Sequence, residues 1–216
     1  MTMTISPRVR NGVVSALTGT LAVVGLAAVL PQAAHAGTSG LTAACTQTVT
    51  GDLAGAQTVA SGQKLCLRGA NVGGAITVQA GGSLSSKNST VNGAITASGA
   101  KLFEFCGSTT VGGALSVSGG VGKVKIGDNN KCGANTVGGA ITVANNTRNV
   151  SLARTTTGAA VTVSDNVPLS GIAPLISANN IGGALTCAGN APAPTNDNKS
   201  NTVAGGRSGQ CVSPTF

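Results

Sequence analysis

Small or apolar residues alternate with polar residues in an eight-residue pattern that recurs along the chain. Its clearest copy is TVGGAITV at 136–143, and five others are similar: 71–78, 90–97, 110–117, 156–163 and 180–187. The alanine in the middle of each copy stands at positions 75, 94, 114, 140, 160 and 184. A period of about 20 residues with tolerated insertions is typical of a solenoid.

The apolar positions of the copies predict a buried column. In a β-strand alternate side chains point to opposite faces, and the central apolar position is always aliphatic: Ile76, Ile95, Leu115, Ile141, Val161 and Leu185. One copy cannot bury this face alone, whereas copies stacked about 4.8 Å apart form a continuous core. The glycine pairs and β-branched residues disfavour helix.

A second short strand is predicted after each copy, following a Gly- or Asn-containing turn, at 83–86, 101–106, 122–126 and 149–153. Two or three short strands in a repeat of about 20 residues indicate a parallel β-helix. We therefore predict an all-β, right-handed parallel β-helix of about six to seven rungs, a rung being one turn of the solenoid. The hand follows from the usual preference of parallel β connections.

The polar face of the copies predicts a column of hydroxyl groups beside the alanine column: Thr77, Thr96, Ser116, Thr142, Thr162 and Thr186. One interpretation is simply the polar, β-prone outer face of a sheet. The alternative is a surface that docks another copy, a glycan or ice. Ice-binding solenoids usually present two threonine columns, and glycan-binding faces usually use exposed aromatic residues, of which this chain has only three phenylalanines.

Residues 1–36 are predicted to be a secretory signal peptide. Arg8 and Arg10 precede an apolar stretch at 13–30, and Ala34-His35-Ala36 is an A-x-A cleavage site. We expect the exported chain to be a single solenoid domain, 37–216, without stable membrane insertion after cleavage. Residues 187–216 depart from the repeat and are predicted to form a C-terminal cap, because an open solenoid end leaves unpaired strand edges.

Six cysteines fall within the expected exported chain, and an even number in an exported protein predicts disulfides. Each rung of a solenoid contacts only its neighbours. Partners should therefore be close in sequence, which predicts the pairs Cys45–Cys66, Cys106–Cys132 and Cys187–Cys211, with both ends of the solenoid tied. A metal site is not supported, because the sequence has no C-x-x-C pair and no histidine after His35.

The exported chain is basic. Loss of Arg8 and Arg10 from the 13 Lys+Arg leaves 11 against 5 Asp+Glu, a net charge of +6. Four lysines fall close together in the repeat and are either an ordinary solvated face or a patch for an anionic partner: Lys101, Lys123, Lys125 and Lys131. We expect an anionic cell-wall polymer or self-association as partner, and no nucleic acid, because stacking residues are lacking.

Catalysis is not expected. The expected exported chain has no histidine, tyrosine or tryptophan, so acid–base chemistry would fall to lysine or to the carboxylates. The sequence places no acid cluster on adjacent rungs, and its five carboxylates are scattered: Asp52, Glu104, Asp128, Asp165 and Asp197. No cofactor or metal motif is present. At 101–106 we predict Phe103 and Phe105 inside and Glu104 and Cys106 outside, through a one-residue shift, since an unpaired buried carboxylate is costly.

The tail GNAPAPTNDNKSNTVAGGRSGQC at 189–211, together with the VGGAITV copies, resembles a group of uncharacterised small secreted proteins of actinobacteria. The resemblance covers nearly the whole exported chain and implies a secreted β-helix without implying an activity. The copies also resemble, less closely, those of bactofilins, cytosolic β-helices that polymerise end to end.

The sequence thus predicts a secreted, non-enzymatic structural or surface-binding β-solenoid, extracellular or associated with the cell wall. One alternative is a small carbohydrate-binding or carbohydrate-active β-helix protein, for which an acid pair on adjacent rungs would be the sign. A further alternative is an ice-binding protein.

Overall fold

The computed structural model of the protein describes residues 44–130, 132, 134–213 and 216. All of them belong to one compact unit, Ala34–Phe216. The predicted signal peptide, 1–36, lies outside the described residues, as does Lys131.

The described chain is all-β and winds as a parallel solenoid of about eight turns, which confirms the predicted fold class. A 13-stranded sheet, here called sheet A, contains β1 (Gln47–Leu53), β3 (Lys64–Val72), β5 (Ser83–Lys87), β6 (Thr90–Val91), β8 (Leu102–Phe105), β9 (Thr110–Val111), β11 (Val124–Ile126), β12 (Asn135–Val137), β14 (Val150–Ala153), β15 (Thr155–Thr157), β17 (Leu175–Ser177), β18 (Asn180–Ile181) and β20 (Thr202–Val203).

The second sheet, sheet B, has one strand from each of the eight turns: β2 (Gln57–Val59), β4 (Ile76–Val78), β7 (Ile95–Ser98), β10 (Leu115–Ser118), β13 (Ile141–Ala144), β16 (Val161–Ser164), β19 (Leu185–Ala188) and β21 (Arg207–Gly209). Sheet A contributes two strands to most turns, such as β5 and β6, which pair with the two halves of the long strand β3. A typical turn therefore has three short strands.

The eight-residue pattern is not one strand, as the alternation predicted, but two strands joined at a glycine bend. Its first residues, such as Thr136 and Val137, belong to sheet A, and its last three begin the sheet B strand at Ile141. Successive glycine pairs stack closely: a Cβ on Gly139 would lie 2.7 Å from the backbone nitrogen of Ala114. Glycine is required at this bend because the backbones of neighbouring turns approach too closely for a side chain.

Phe103 and Phe105 are fully buried, as predicted, with ring centroids 4.8 Å apart. Glu104 and Cys106 are only partly buried. The predicted one-residue shift does not occur: Phe103 pairs directly with Leu84 on one side and Val124 on the other, both of which point inward.

The predicted aliphatic column runs through sheet B and has a polar residue at each end. From Ile76 to Leu185 its six residues are at most 1% exposed, and the pairing extends it to Gln57 in the first strand and Arg207 in the last. The Gln57 amide donates to the carbonyl of Ala54, and the Arg207 guanidinium donates to the carbonyl of Asn201. The end turns have a polar residue where the other turns have an aliphatic one. The apolar pattern therefore predicted six to seven turns and not eight.

Two stacks of buried asparagines support the corners of the solenoid. In one, each side-chain amide donates to the side-chain oxygen of the next turn, from Asn146 to Asn166 to Asn190 to Gln210, over 2.8–2.9 Å. In the other, Asn179 donates to Asn201 in the same way. These amides satisfy backbone groups that the turns would otherwise leave unpaired in the interior.

All three predicted disulfides are present: Cys45–Cys66, Cys106–Cys132 and Cys187–Cys211. Each joins neighbouring turns, and the first and last tie the two ends. Disulfides of this kind are typical of an oxidising, extracellular environment. Over the described part of the chain, no helix has the length and apolarity needed to cross a bilayer.

Candidate functional surfaces

The predicted hydroxyl column exists and is longer than the sequence indicated. It runs across all eight strands of sheet B without a register shift. Thr58 precedes the six predicted residues and Ser208 follows them. In the predicted set, Thr77 and Thr96 are exposed, and the other four are half-buried: Ser116, Thr142, Thr162 and Thr186.

Most hydroxyl groups of this column are available to a partner. Ser208 donates to Thr186 over 3.0 Å. The hydroxyls of the other five predicted residues, from Thr77 to Thr162, have no hydrogen-bond partner among the described residues. A hydroxyl both donates and accepts, so the column offers a row of unused donors and acceptors at strand spacing.

Alanines stand immediately before the sheet B strands, beside the hydroxyl column as predicted, and their carbonyls hold successive turns together. The amide of Leu115, for example, donates to the carbonyl of Ala140 over 2.9 Å, and the amide of Ile141 to that of Ala160 over 3.0 Å. Small side chains on this side leave the hydroxyl column open to a broad partner.

A second column of polar residues lies on sheet A, across the glycine bend, where the repeat did not predict one. Its members are paired in register: Asp52, Asn71, Thr90, Thr110, Thr136, Thr156, Asn180 and Thr202. The signal was the first letter of each eight-residue pattern, which we had assigned to the same strand as the first column. The bend places the two columns on different sheets.

The predicted lysines differ in their surroundings. Lys101 and Lys123 are exposed, whereas Lys125 is only 14% exposed and forms ion pairs with Asp128 at 2.7 Å and Glu104 at 3.8 Å. Lys131 lies outside the described residues. Lys125 is therefore neutralised and is not a free cation for an anionic partner.

A cationic pocket lies beside Lys123, and its second cation, Arg148, was not among the predicted residues. Gly122, Lys123, Arg148 and Asn149 line a space of about 350 Å³. Neither Lys123 nor Arg148 has an acidic partner within the described chain. The turn that begins after β10 supplies the lysine and the turn after β13 supplies the arginine, so only the stacking of turns brings them together.

Two of the five carboxylates contact the same lysine. Glu104 and Asp128 both contact the ammonium group of Lys125 from adjacent turns, an acid pair that the sequence did not indicate. Asp128 also accepts the backbone amides of Asn130 and Cys132, so it stabilises its own loop. The other three carboxylates have other surroundings: Asp52 accepts from Asn71, Asp197 accepts from Asn129, and Asp165 is exposed with φ of 53°.

The described residues contain no group of three or more histidine, cysteine, aspartate or glutamate side chains that could hold a metal ion.

No protein-family model matches the chain, and no curated protein or solved structure matches it either.

Proposed function

We propose that the protein is a secreted, non-enzymatic surface-binding module of the cell envelope and that its contact surface is the hydroxyl column of sheet B. The observation that carries this proposal is the column itself: eight hydroxyl residues in unbroken register, five of the six predicted ones without an internal partner. A row of identical groups at constant spacing suits a repetitive partner, such as a wall polymer, better than a single small molecule.

The ends of the solenoid support lateral contact and not end-to-end polymerisation. Gln57 and Arg207 close the apolar column with polar groups, and two disulfides hold the end turns. A further copy stacked on either end would have to desolvate these groups, which costs free energy unless each finds a new partner. The predicted signal peptide and the three disulfides support secretion.

The test uses the exported chain, 37–216, which retains all the described residues. It is mixed with isolated actinobacterial cell wall, pelleted, and the bound fraction is measured over a range of protein concentrations. Thr96→Val and Thr142→Val together remove two hydroxyls while keeping the side-chain shape, and we expect about a tenfold loss of wall affinity, since each lost hydrogen bond contributes about 0.5–1.5 kcal/mol.

The matched control removes two hydroxyls from the column on sheet A, with Thr110→Val and Thr136→Val. This variant should bind wall as the unmodified chain does. Equal losses in both variants, or no pelleting of the unmodified chain with wall, would contradict the assignment of this surface.

A second candidate function, a small carbohydrate-active protein, is supported by the Glu104–Asp128 pair on adjacent turns. Paired carboxylates are the usual groups of glycoside hydrolysis. The test is release of soluble sugar from isolated wall polysaccharide, compared between the unmodified chain and Glu104→Gln. Absence of release, or equal release by the variant, would exclude this candidate.

A third candidate, ice binding, is supported by the second threonine-containing column, which the sequence alone did not show. Thermal hysteresis of the exported chain is the measurement, and Thr142→Leu should abolish it because the variant interrupts the hydroxyl column at its centre. A chain without hysteresis does not bind ice in this way.

A further inference from the structure

One corner of the solenoid has an insertion that exposes apolar side chains. The step from Ala160 to Ala184 is 24 residues, and the additional residues lie between β16 and β17. Within this segment Leu169 is 73% exposed, and Val167 and Ile172 are about half exposed, at 49% and 55%. A tight turn, in which the amide of Gly171 donates to the carbonyl of Pro168, presents Leu169 to solvent.

Hydrogen bonds fix this segment against the corners of the two preceding turns. The amide of Leu169 donates to the carbonyl of Thr147, and the amide of Thr147 donates to the carbonyl of Gly120, each over 3.0 Å. Val121, which is 57% exposed, is the next residue in the chain after Gly120. Val121, Val167, Leu169 and Ile172, here called the apolar corner, are four of the five large hydrophobic residues exposed in the described chain. Single exposed hydrophobic residues scattered over a surface are normal, whereas four grouped at one corner indicate an interaction site.

The cationic pocket adjoins the apolar corner. Lys123 is two residues from Val121, and Arg148 follows Thr147, whose carbonyl binds the Leu169 amide. The hydroxyl of Ser170 donates to Oδ1 of Asn149 over 2.7 Å, which ties the inserted segment to the pocket wall. Two cations without acidic partners thus lie beside exposed valine, leucine and isoleucine side chains.

We propose that the apolar corner and the cationic pocket together dock on the surface of an anionic phospholipid membrane. Apolar side chains enter the boundary between headgroups and acyl chains, and neighbouring cations attract the headgroup phosphates. A hydrophilic wall polymer would use the cations and leave Leu169 and Ile172 in water. The combination therefore selects lipid, and the site is distinct from the hydroxyl column of the proposed function.

The experiment is cosedimentation of the exported chain with vesicles of phosphatidylglycerol and, separately, of phosphatidylcholine. We expect binding to the anionic vesicles that weakens as salt rises, because exposed charges are screened. Lys123→Gln with Arg148→Gln should weaken it by about 25-fold, since each cation near an anionic surface contributes about fivefold. Leu169→Ser with Ile172→Ser should weaken it by tenfold or more, since burial of each side chain is favourable.

Matched controls change the same residue types elsewhere. Arg154 and Lys199 are exposed on other parts of the solenoid, and Val212 is 65% exposed near the C-terminus. Arg154→Gln with Lys199→Gln, and Val212→Ser, should each leave vesicle binding within about twofold. Sedimentation velocity without vesicles shows whether Leu169→Ser with Ile172→Ser changes the association state.

Equal binding to both kinds of vesicle, or equal losses in the test and control variants, would overturn the proposal. Dissociation of an oligomer by Leu169→Ser with Ile172→Ser would also overturn it, because the apolar corner would then be covered by a second copy. Wall pelleting is measured in parallel. Loss of vesicle binding with unchanged wall binding separates this site from the hydroxyl column, and either proposal can fail without the other.

Discussion

The side-chain amide nitrogen of Asn166 lies 2.9 Å from Oδ1 of Asn190, one turn further along the solenoid. Asn166 itself accepts from both the side-chain and the backbone nitrogen of Asn146 and also donates to the carbonyl of Val143. One fully buried side chain thus connects three successive turns and satisfies two backbone groups of the first of them.

We expect Asn166→Ala to lower the free energy of unfolding by about 3 kcal/mol, because leaving a buried donor or acceptor unsatisfied costs about 1–3 kcal/mol. Denaturant unfolding of a chain of residues 37–216 measures this. Asn92→Ala is the matched control, since Asn92 is exposed and its side chain has no hydrogen-bond partner in the described chain. A comparable loss in both variants would show that the stack does not stabilise the fold.

The glycine bends give a second prediction. A Cβ on Gly139 would lie 2.7 Å from the nitrogen of Ala114, whereas a Cβ on Gly158, in the next bend, would have no atom within 4 Å. Gly139→Ala should destabilise the protein by about 1–3 kcal/mol through overpacking. Gly158→Ala should leave stability unchanged or raise it by up to about 1 kcal/mol by restricting the unfolded chain. Thermal unfolding of the pair is the measurement, and equal midpoints would refute the steric explanation.

The polar ends of the aliphatic column give a third prediction. Replacing Gln57 by Ile and Arg207 by Leu continues the apolar column to both ends, and exposed apolar strand edges promote association. Sedimentation velocity of this double variant should show concentration-dependent oligomers that the unmodified chain does not form. Thr77→Leu with Thr96→Leu adds the same number of aliphatic residues to the outer face and controls for general stickiness. Oligomers of this control alone would assign association to the face and not to the ends.

The central disulfide gives a fourth prediction. Cys106–Cys132 closes a loop with a sequence separation of 26. In the chain-entropy account a loop of this size contributes about 3–4 kcal/mol. Cys106→Ser with Cys132→Ser should therefore lower the denaturant midpoint. An unchanged midpoint would mean that the ion pairs of Lys125 and the hydrogen bonds of Asp128 hold this loop unaided.

Much of the fold was predictable because its determinants repeat. The aliphatic column, the three disulfides and the inward phenylalanines follow from alternation and from the rule that turns contact only their neighbours. The bend within the eight-residue pattern was not predictable from alternation, since a strand and a corner place Val137 and Ile141 on the same side. The end turns were not predicted because Gln57 and Arg207 are polar, whereas the other residues of the column are aliphatic.

The candidate sites were less predictable than the fold. The hydroxyl column repeats and was found. The pocket of Lys123 and Arg148 depends on two residues that are 25 positions apart and belong to corners of unequal length, where no repeat fixes the register. The acid pair at Lys125 depends in the same way on the loop that Cys132 holds. Sites formed once, at irregular corners, leave no periodic signal.

The unbroken register of the hydroxyl column makes the size of the proposed contact surface a whole number of turns. Duplicating the 20 residues 140–159 would add one more hydroxyl and lengthen the surface by one strand spacing, while each end keeps its own polar residue. Affinity for a repetitive partner would then grow by a constant factor with each added turn, as it does in multivalent binding. The number of repeats alone would then set the length of the surface, without a change in any individual contact.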